Sequence, residues 1–349
     1  MYDLLKTMCE LPGPGGDEGA VQDFLAQRWG RRAQQIERTP VGNLLAYVGG
    51  RGPRLMLVAH ADEICFVVKH ISDDGFIWIT TGQRDTEQRP GLRAPVFLPW
   101  GHPALILTTS GPVEGVFATL TGHILRPEQR EKTRPDWDDV FLDIGAPNRA
   151  AVAARGVQVG DRVIWNPPTR RRGRLACGKA MDDRVGLVIM DRLLEVVALD
   201  RLAYELWLVS TVQEEIGLVG AESVAQRTGC ELAITLDVGL AGDVPGVDPR
   251  DVSARLGAGP IIVHKDLALY SRPLILSLMR AAREANIPVQ SAVFSLYGSD
   301  SGAFIRHGLQ AGLVAVPTRY THSPFETVHL DDMELTVQLL KHFLESRPL

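Results

Sequence analysis

Residues 206–217 read Leu-Trp-Leu-Val-Ser-Thr-Val-Gln-Glu-Glu-Ile-Gly, an uncharged and mostly apolar run that ends in two adjacent carboxylates and a glycine. Such a run is typical of a strand buried in an α/β sheet. Open α/β sheets bind ligands beyond the carboxyl ends of their strands, so Glu214 and Glu215 stand at a candidate active-site rim. Neighbouring carboxylates repel each other, and a shared site must hold a proton or cations. For an isolated Glu-Glu pair, a solvated acidic turn would be the better interpretation.

Composition narrows the class of protein. The chain has 349 residues, 23% of them charged and 45% hydrophobic, which predicts a globular protein of two domains. The formal net charge is −5 and no long basic run occurs, so nucleic acid is not an expected partner. No apolar run reaches membrane-spanning length and the first residues lack the apolar core of a signal peptide, which predicts no membrane contact and a cytoplasmic location. The four cysteines have no CxxC spacing and indicate neither a zinc knuckle nor a disulfide framework.

The pattern along the chain predicts an α/β fold with an insertion. Strands are expected at 42–48, 54–59, 204–212, 289–296 and 312–316, and another covers 232–236 and ends at 237–239. Helices are expected between strands, at 301–306 and near 331–344. From 66 to 172 the pattern changes to short β-rich runs broken by Gly and Pro, which favours a small β-barrel or sandwich. We therefore predict a three-layer, mixed-sheet domain from residues 1–65 and 173–349, and an inserted β-barrel domain from 66–172.

Several potential metal ligands follow the predicted strands or begin a predicted helix. They are His60, Asp62, Asp182, Glu214, Glu215, Asp237 and His322. Imidazole mixed with carboxylate suits zinc, cobalt or manganese better than calcium or magnesium. The set is too large for one tetrahedral ion and suits two ions about 3.5–4 Å apart with a bridging carboxylate.

Each of these residues also has an ordinary explanation when it is considered alone. His322 could be a hydrogen-bonded loop residue, Asp237 could cap a turn, and Asp182 could be a helix N-cap. Together these explanations are weaker, because the sheet would then crowd several anions at one edge without cations to offset their repulsion.

The chain resembles the tetrahedral, or glutamyl/deblocking, aminopeptidases, a family of dinuclear metallopeptidases. The resemblance covers nearly the full length, and the matching motifs occur in the family's order. They are Ala-His-Ala-Asp-Glu-Ile at 59–64, Lys-Ala-Met-Asp-Asp-Arg-Val-Gly at 179–186, Thr-Val-Gln-Glu-Glu-Ile-Gly-Leu at 211–218, Asp-Val at 237–238 and Arg-Tyr-Thr-His-Ser-Pro at 319–324. The predicted β insertion lies where the family carries its PDZ-like dimerisation domain.

The resemblance implies the ligands of two divalent metal ions, expected to be zinc, with cobalt or manganese as alternatives. It implies that His60 and Asp237 hold one ion. Glu215 and His322 would hold the other ion, and Asp182 would bridge the two.

Two further residues have implied catalytic roles. Asp62 lies two residues after His60 and would accept a hydrogen bond from its imidazole, fixing the tautomer. Glu214 would act as general base, taking a proton from a water that bridges the two metals and passing it to the leaving amine. Two adjacent glutamates can thus divide metal binding and proton transfer between them.

The expected reaction is removal of amino-terminal residues from peptides with a free amino terminus, by an enzyme that forms dimers and then a hollow homododecamer. A related dinuclear amidohydrolase that acts on N-acyl amino acids is one alternative. A non-catalytic peptide-binding scaffold is another, although it predicts missing ligands and none is missing. Glycosidase activity is disfavoured because those enzymes use two carboxylates without a metal pair. The preferred N-terminal residue stays open, since Arg255, His264 or Lys265 could favour acidic side chains but could equally be surface charges.

Overall fold

A computed structural model of the protein describes residues 1–81, 99–127 and 137–346. The strands of these residues are β1 (Gln35–Arg38), β2 (Leu44–Gly49), β3 (Arg54–His60), β4 (Phe66–Ile71), β5 (Ile77–Thr81), β6 (Pro103–Thr108), β7 (Gly111–Ala118), β8 (Phe141–Asp143), β9 (Arg162–Trp165), β10 (Arg170–Arg172), β11 (Leu175–Gly178), β12 (Glu205–Thr211), β13 (Leu232–Leu240), β14 (Ile261–Lys265), β15 (Gln290–Val293), β16 (Gln310–Arg319) and β17 (Glu326–His329). The α-helices are α1 (Tyr2–Glu10), α2 (Gly19–Trp29), α3 (Arg149–Ala154), α4 (Met181–Val196), α5 (Val219–Val224), α6 (Arg272–Glu284), α7 (Ser301–Arg306) and α8 (Leu330–Glu345).

The contacts divide the chain into two compact units. The first comprises Met1–Glu63, Thr169–Thr321 and the chain from Glu326 onward, and the second comprises Ile64–Pro168 with the short segment His322–Phe325. Across the described ranges, no helix has both the length and the apolar character needed to cross a membrane.

The first unit is built on a mixed sheet in which eleven strands are described. Their order is β1-β2-β12-β3-β13-β16-β17-β11-β10, and β14 and β15 extend the sheet beside β16. The centre of the sheet is parallel, because β12 pairs with β3, β3 with β13 and β13 with β16 in the same direction. The carboxyl ends of these four strands therefore meet at one edge, and the flanking pairs are antiparallel.

Helices cover both faces of this sheet. On β3, Leu55 and Leu57 belong to the core that contains residues of α1, α2, α4, α6 and α8, whereas Met56 and Val58 belong to a second core with residues of α5 and α7. Both faces of the strand are buried, which explains its continuous apolar run. The predicted three-layer α/β fold with a mixed sheet is confirmed.

The second unit is a closed barrel of six described strands in the order β4-β5-β8-β7-β6-β9, with β9 pairing back to β4. Aromatic side chains fill its interior: the ring of Phe66 lies 5.2 Å, between centroids, from each of the rings of Phe117 and Trp165, in edge-to-face arrangements. Closure leaves the barrel without a free sheet edge. The sequence prediction of a small β-barrel is also confirmed.

Candidate active site

The parallel strands deliver the predicted site residues to one edge of the large sheet. Strand β3 ends at His60, and β12 ends at Thr211, three residues before Glu214. Thr211 is paired in parallel with His60, so the turn that carries Glu214 starts beside the histidine.

The sequence suggested that Asp237 lies at or just beyond the end of its strand. In the structure Asp237 lies inside β13. The strand was predicted to end at 237–239, and β13 continues to Leu240 because β16 remains paired with it as far as Leu240 and Thr318. The strand thus extends just beyond its predicted end. The alternative that Asp237 caps a turn fails for the same reason.

Asp182 stands at the amino-terminal end of α4, where the backbone is not yet helical. Its φ and ψ are −76° and 108°, and Ala180, two residues earlier, has a left-handed φ of 57°. The main-chain N–H of Asp182 donates to Glu326 Oε2 at 3.1 Å. The N-cap position of this helix belongs to Ala180, so Asp182 is not its N-cap residue.

The ligand atoms of five predicted residues lie close together. His60, Asp182 and Asp237 offer atoms that lie within 4.8 Å of one another, and so do His60, Glu214 and Glu215. Carboxylate oxygens of Asp182 and Glu215 also lie within 4.8 Å of each other. All five side chains are buried. Asp182 is thus near both Asp237 and Glu215, the position that a bridging ligand needs.

The imidazole of His60 is held with its Nε2 toward the cluster. Nε2 lies 2.9 Å from Asp182 Oδ1, whereas Nδ1 lies 3.1 Å from the main-chain oxygen of Asp62 and 3.4 Å from its Oδ1. The main-chain oxygen is thus nearer to Nδ1 than the carboxylate that the sequence suggested. That carboxylate accepts hydrogen bonds from the main-chain N–H groups of Glu214 and Glu215, at 2.9 and 3.0 Å.

The electrostatics of the cluster favour bound cations. Burial raises the pKa of the Glu214 carboxyl well above its usual range, and the nearby Glu215 raises it further, although His60 opposes the shift. Burial also raises the pKa of Asp237, and the neighbouring Asp182 acts in the same direction. Buried carboxylates at this spacing repel one another unless protons or metal ions offset their charge. Imidazole and carboxylate donors of this kind fit zinc, cobalt or manganese.

His322 lies three residues after the end of β16, in the segment His322–Phe325 that clusters with the second unit. The residue is half-buried and has a left-handed φ of 61°. Its assignment as a metal ligand stays a prediction.

Sequence reasoning missed a buried ion network beside the cluster. Lys179 Nζ donates to both oxygens of Glu63 at 2.8 Å, and the two side chains are 1% and 2% exposed. The guanidinium of Arg184, which is completely buried, lies 3.5 Å from Glu63 and donates to the main-chain oxygen of Ala61. The signal was present, because these charges lie inside two of the recognised motifs. Charged residues are normally expected at the surface, and nothing in the sequence paired these three.

The basic residues that the sequence offered as selectors of acidic substrates have local roles or are exposed. Lys265 Nζ donates to the main-chain oxygen of Asp266 at 2.7 Å, and His264 Nε2 lies 3.2 Å from Ser291 Oγ. Arg255 is exposed. These contacts give no support to a preference for acidic side chains.

A mixed α/β sheet with buried imidazole and carboxylate groups near the carboxyl ends of its parallel strands forms a candidate metal-binding site of the kind that metal-dependent hydrolases use. The model of the M42 glutamyl aminopeptidase family matches residues 42–339, and the chain belongs to this family. The family resemblance seen in the sequence motifs is confirmed. Membership makes the protein a hydrolase of the aminopeptidase class.

Individual relatives agree with this assignment. The chain is 31% identical to the Escherichia coli protein FrvX over 98% of this chain and 94% of that protein. FrvX carries the name of an aminopeptidase. A TET aminopeptidase from the archaeon Thaumarchaeota archaeon SCGC AB-539-E09 superposes with a TM-score of 0.91 at 29% identity, covering 100% of this chain and 96% of that one. The Pyrococcus horikoshii TET1 peptidase, described as able to assemble into a tetrahedron or a large octahedral shell, gives a TM-score of 0.86 at 26% identity and covers 98% of each chain.

Proposed function

We propose that the enzyme removes amino-terminal residues from peptides by using two divalent metal ions held between the strand ends of the first unit. His60 and Asp237 would hold one ion and Asp182 would bridge to the second. Glu215 and His322 would complete the second site. The observation that supports this most directly is the short distance between buried donor atoms. The ligand atoms of His60, Asp182 and Asp237 lie within 4.8 Å of one another, and so do those of His60, Glu214 and Glu215.

The metals are expected to be zinc, with cobalt or manganese as the alternatives. When bound, such ions polarise a water and the scissile carbonyl. The chain's own contribution to proton transfer is Glu214. It is buried, and its carboxylate lies within 4.8 Å of the ligand atoms of His60 and Glu215, which places a proton acceptor beside the proposed metal ligands.

The charges of the site favour a substrate with a free amino terminus. Five buried carboxylates lie in or beside the proposed metal cluster, those of Asp62, Asp182, Glu214, Glu215 and Asp237. Two divalent ions supply four positive charges, one fewer than these five carboxylates carry when all are ionised, and the remaining negative charge would favour a substrate ammonium group. An acyl group on the substrate nitrogen would remove the ammonium charge and add bulk at the same place. The amidohydrolase alternative predicts the opposite selectivity.

A matched substrate pair tests this proposal. We expect leucine amides or short leucyl peptides to be cleaved with a kcat/KM roughly ten- to a hundredfold above that of their N-acetyl forms, because a hydrogen bond to a charged group contributes about 1.5–3 kcal/mol. The measurement is release of the free N-terminal amino acid from each substrate by metal-loaded enzyme. Faster cleavage of the N-acetyl series would favour the amidohydrolase, and no turnover of either series would favour the peptide-binding scaffold.

We further propose that the chain assembles through the barrel, at 66–172, into dimers and then into a dodecameric shell. The P. horikoshii relative that can assemble into a tetrahedron supports this. Tetrahedral symmetry has twelve rotations, so a shell in which each rotation generates one chain contains twelve chains. We propose a cytoplasmic location together with this assembly, as the sequence led us to expect.

The expected mass in solution is twelve times the chain mass of 38.2 kDa. Multi-angle light scattering at neutral pH, with and without added zinc, measures it. A monomer under both conditions would contradict the assembly, while the proposed chemistry would stand.

A further inference from the structure

The turn between β12 and Glu214 is held by side chains from distant parts of the sequence. The main-chain N–H of Val212 donates to Asn43 Oδ1 at 3.1 Å, and that of Gln213 donates to Glu18 Oε1 at 3.1 Å. The next two main-chain N–H groups, those of Glu214 and Glu215, donate to the carboxylate of Asp62. Four consecutive N–H groups thus end on side-chain oxygens and not on a neighbouring strand.

The backbone of this turn needs such support. Gln213 has a φ of 55°, in the left-handed region that residues other than glycine seldom occupy. Conformations of this kind persist where the surroundings fix them. The hydrogen bond from Glu18 is made at the N–H of this residue, immediately before Glu214.

Glu18 is itself firmly placed. Its side chain is buried, and the same Oε1 accepts the N–H of Gly16 at 2.8 Å. Its main-chain oxygen accepts the N–H groups of Val21 and Gln22, which start α2. Gln22 in turn donates from Nε2 to the main-chain oxygen of Ser210 at 3.1 Å. The beginning of α2 therefore contacts the end of β12 at two points.

We propose that Glu18 is a positioning residue for the reaction, which fixes the left-handed turn at Gln213 and so aims the carboxylate of Glu214. This inference rests on the proposed role of Glu214 as general base. Its proposed role is that of a hydrogen-bond acceptor for the turn, acting through Glu214. A proton-transfer group displaced by about 1 Å can lose on the order of a hundredfold in rate, so a loosened turn lowers kcat.

The test compares Glu18→Ala with Glu18→Gln. The alanine variant is expected to lose roughly ten- to a hundredfold in kcat on a leucyl peptide with little change in KM. The glutamine variant keeps an oxygen acceptor in the same place and is expected to recover most of the loss. Elemental analysis should find both metal ions in each variant. Amide hydrogen exchange, followed by mass spectrometry, should be faster across 212–215 in the alanine variant only.

The matched control is Asp161→Ala in the second unit. Asp161 is another buried carboxylate that accepts a main-chain N–H, from Gln158 at 2.9 Å. Its removal is expected to lower stability and leave kcat unchanged.

Should Glu18→Ala not fold, Glu18→Asp shortens the side chain by one methylene, and the same fall in kcat is expected. Wild-type kcat together with unchanged exchange at 212–215 in the variants that fold would overturn the inference. If Glu214→Gln were also fully active, the general-base assignment on which this inference rests would fail, whereas the proposed aminopeptidase activity would stand.

Discussion

Glu214→Gln protein is expected to retain both metal ions and to lose roughly 10²–10⁴-fold in kcat, the usual contribution of a general acid or base. Glutamine has nearly the shape of glutamate but cannot accept a proton at neutral pH. The main-chain N–H of Glu214, which donates to Asp62 at 2.9 Å, is untouched by the substitution, so the turn should keep its conformation. Substrate binding should change little, and the loss should fall on kcat.

Two measurements make this expectation decisive. Elemental analysis establishes whether the variant carries the wild-type amount of metal, and steady-state kinetics on a leucyl peptide separates kcat from KM. Exposed Glu231 provides the control, since Glu231→Gln makes the same chemical change away from the site and should leave kcat unaltered. A Glu214→Gln protein with full metal content and wild-type kcat would end the general-base assignment.

Much of the fold could be predicted because its strands are buried on both faces. The apolar run of β3 predicted a strand that ends beside His60, and the short α7 was predicted with its observed bounds. The position of Asp237 was misjudged for a definite reason. A carboxylate normally ends a buried strand, but pairing of β13 with β16 carries the strand past it. The pattern of one segment does not show how long its neighbour stays paired.

The sequence predicted which residues form the candidate site. It predicted much less well the hydrogen bonds and ion pairs that hold those residues in place. The motifs named the donor residues, and the parallel sheet brings five of them together. The supporting contacts join residues more than a hundred positions apart, such as Glu63 with Lys179 and Glu18 with Gln213. One sequence contains no record of such pairings. The sequence named Asp62 as the partner of His60, and Asp62 Oδ1 lies 3.4 Å from Nδ1; it could not show that the main-chain oxygen of the same residue lies nearer, at 3.1 Å.

Asp182→Asn is expected to have the largest effect on metal content. As the proposed bridge, Asp182 should contribute to both metal sites, and its carboxylate lies near His60, Asp237 and Glu215. An amide is a poorer ligand for zinc than a carboxylate and carries no charge to offset the cations. We expect bound metal to fall from two ions to one or fewer after dialysis, with activity lost in parallel. Substitution of Glu215, proposed to hold one ion only, should cost less metal.

The adjacent residue offers a matched control. Asp183 is as deeply buried and accepts the N–H of Gly186 at 3.0 Å, but it is not a proposed ligand. Asp183→Asn keeps an oxygen acceptor and should retain two ions. The contrast should also appear in stability, because an ion present at a hundred times its Kd stabilises the folded state by about 2.7 kcal/mol. For a domain of this size, each ion then corresponds to a rise in Tm of roughly 5–10 °C, and two ions to roughly twice that, on adding zinc to the wild type or to the Asp183→Asn control. Asp182→Asn should show little of this rise, and a variant that bound two ions with the wild-type shift in Tm would remove Asp182 from the bridging position.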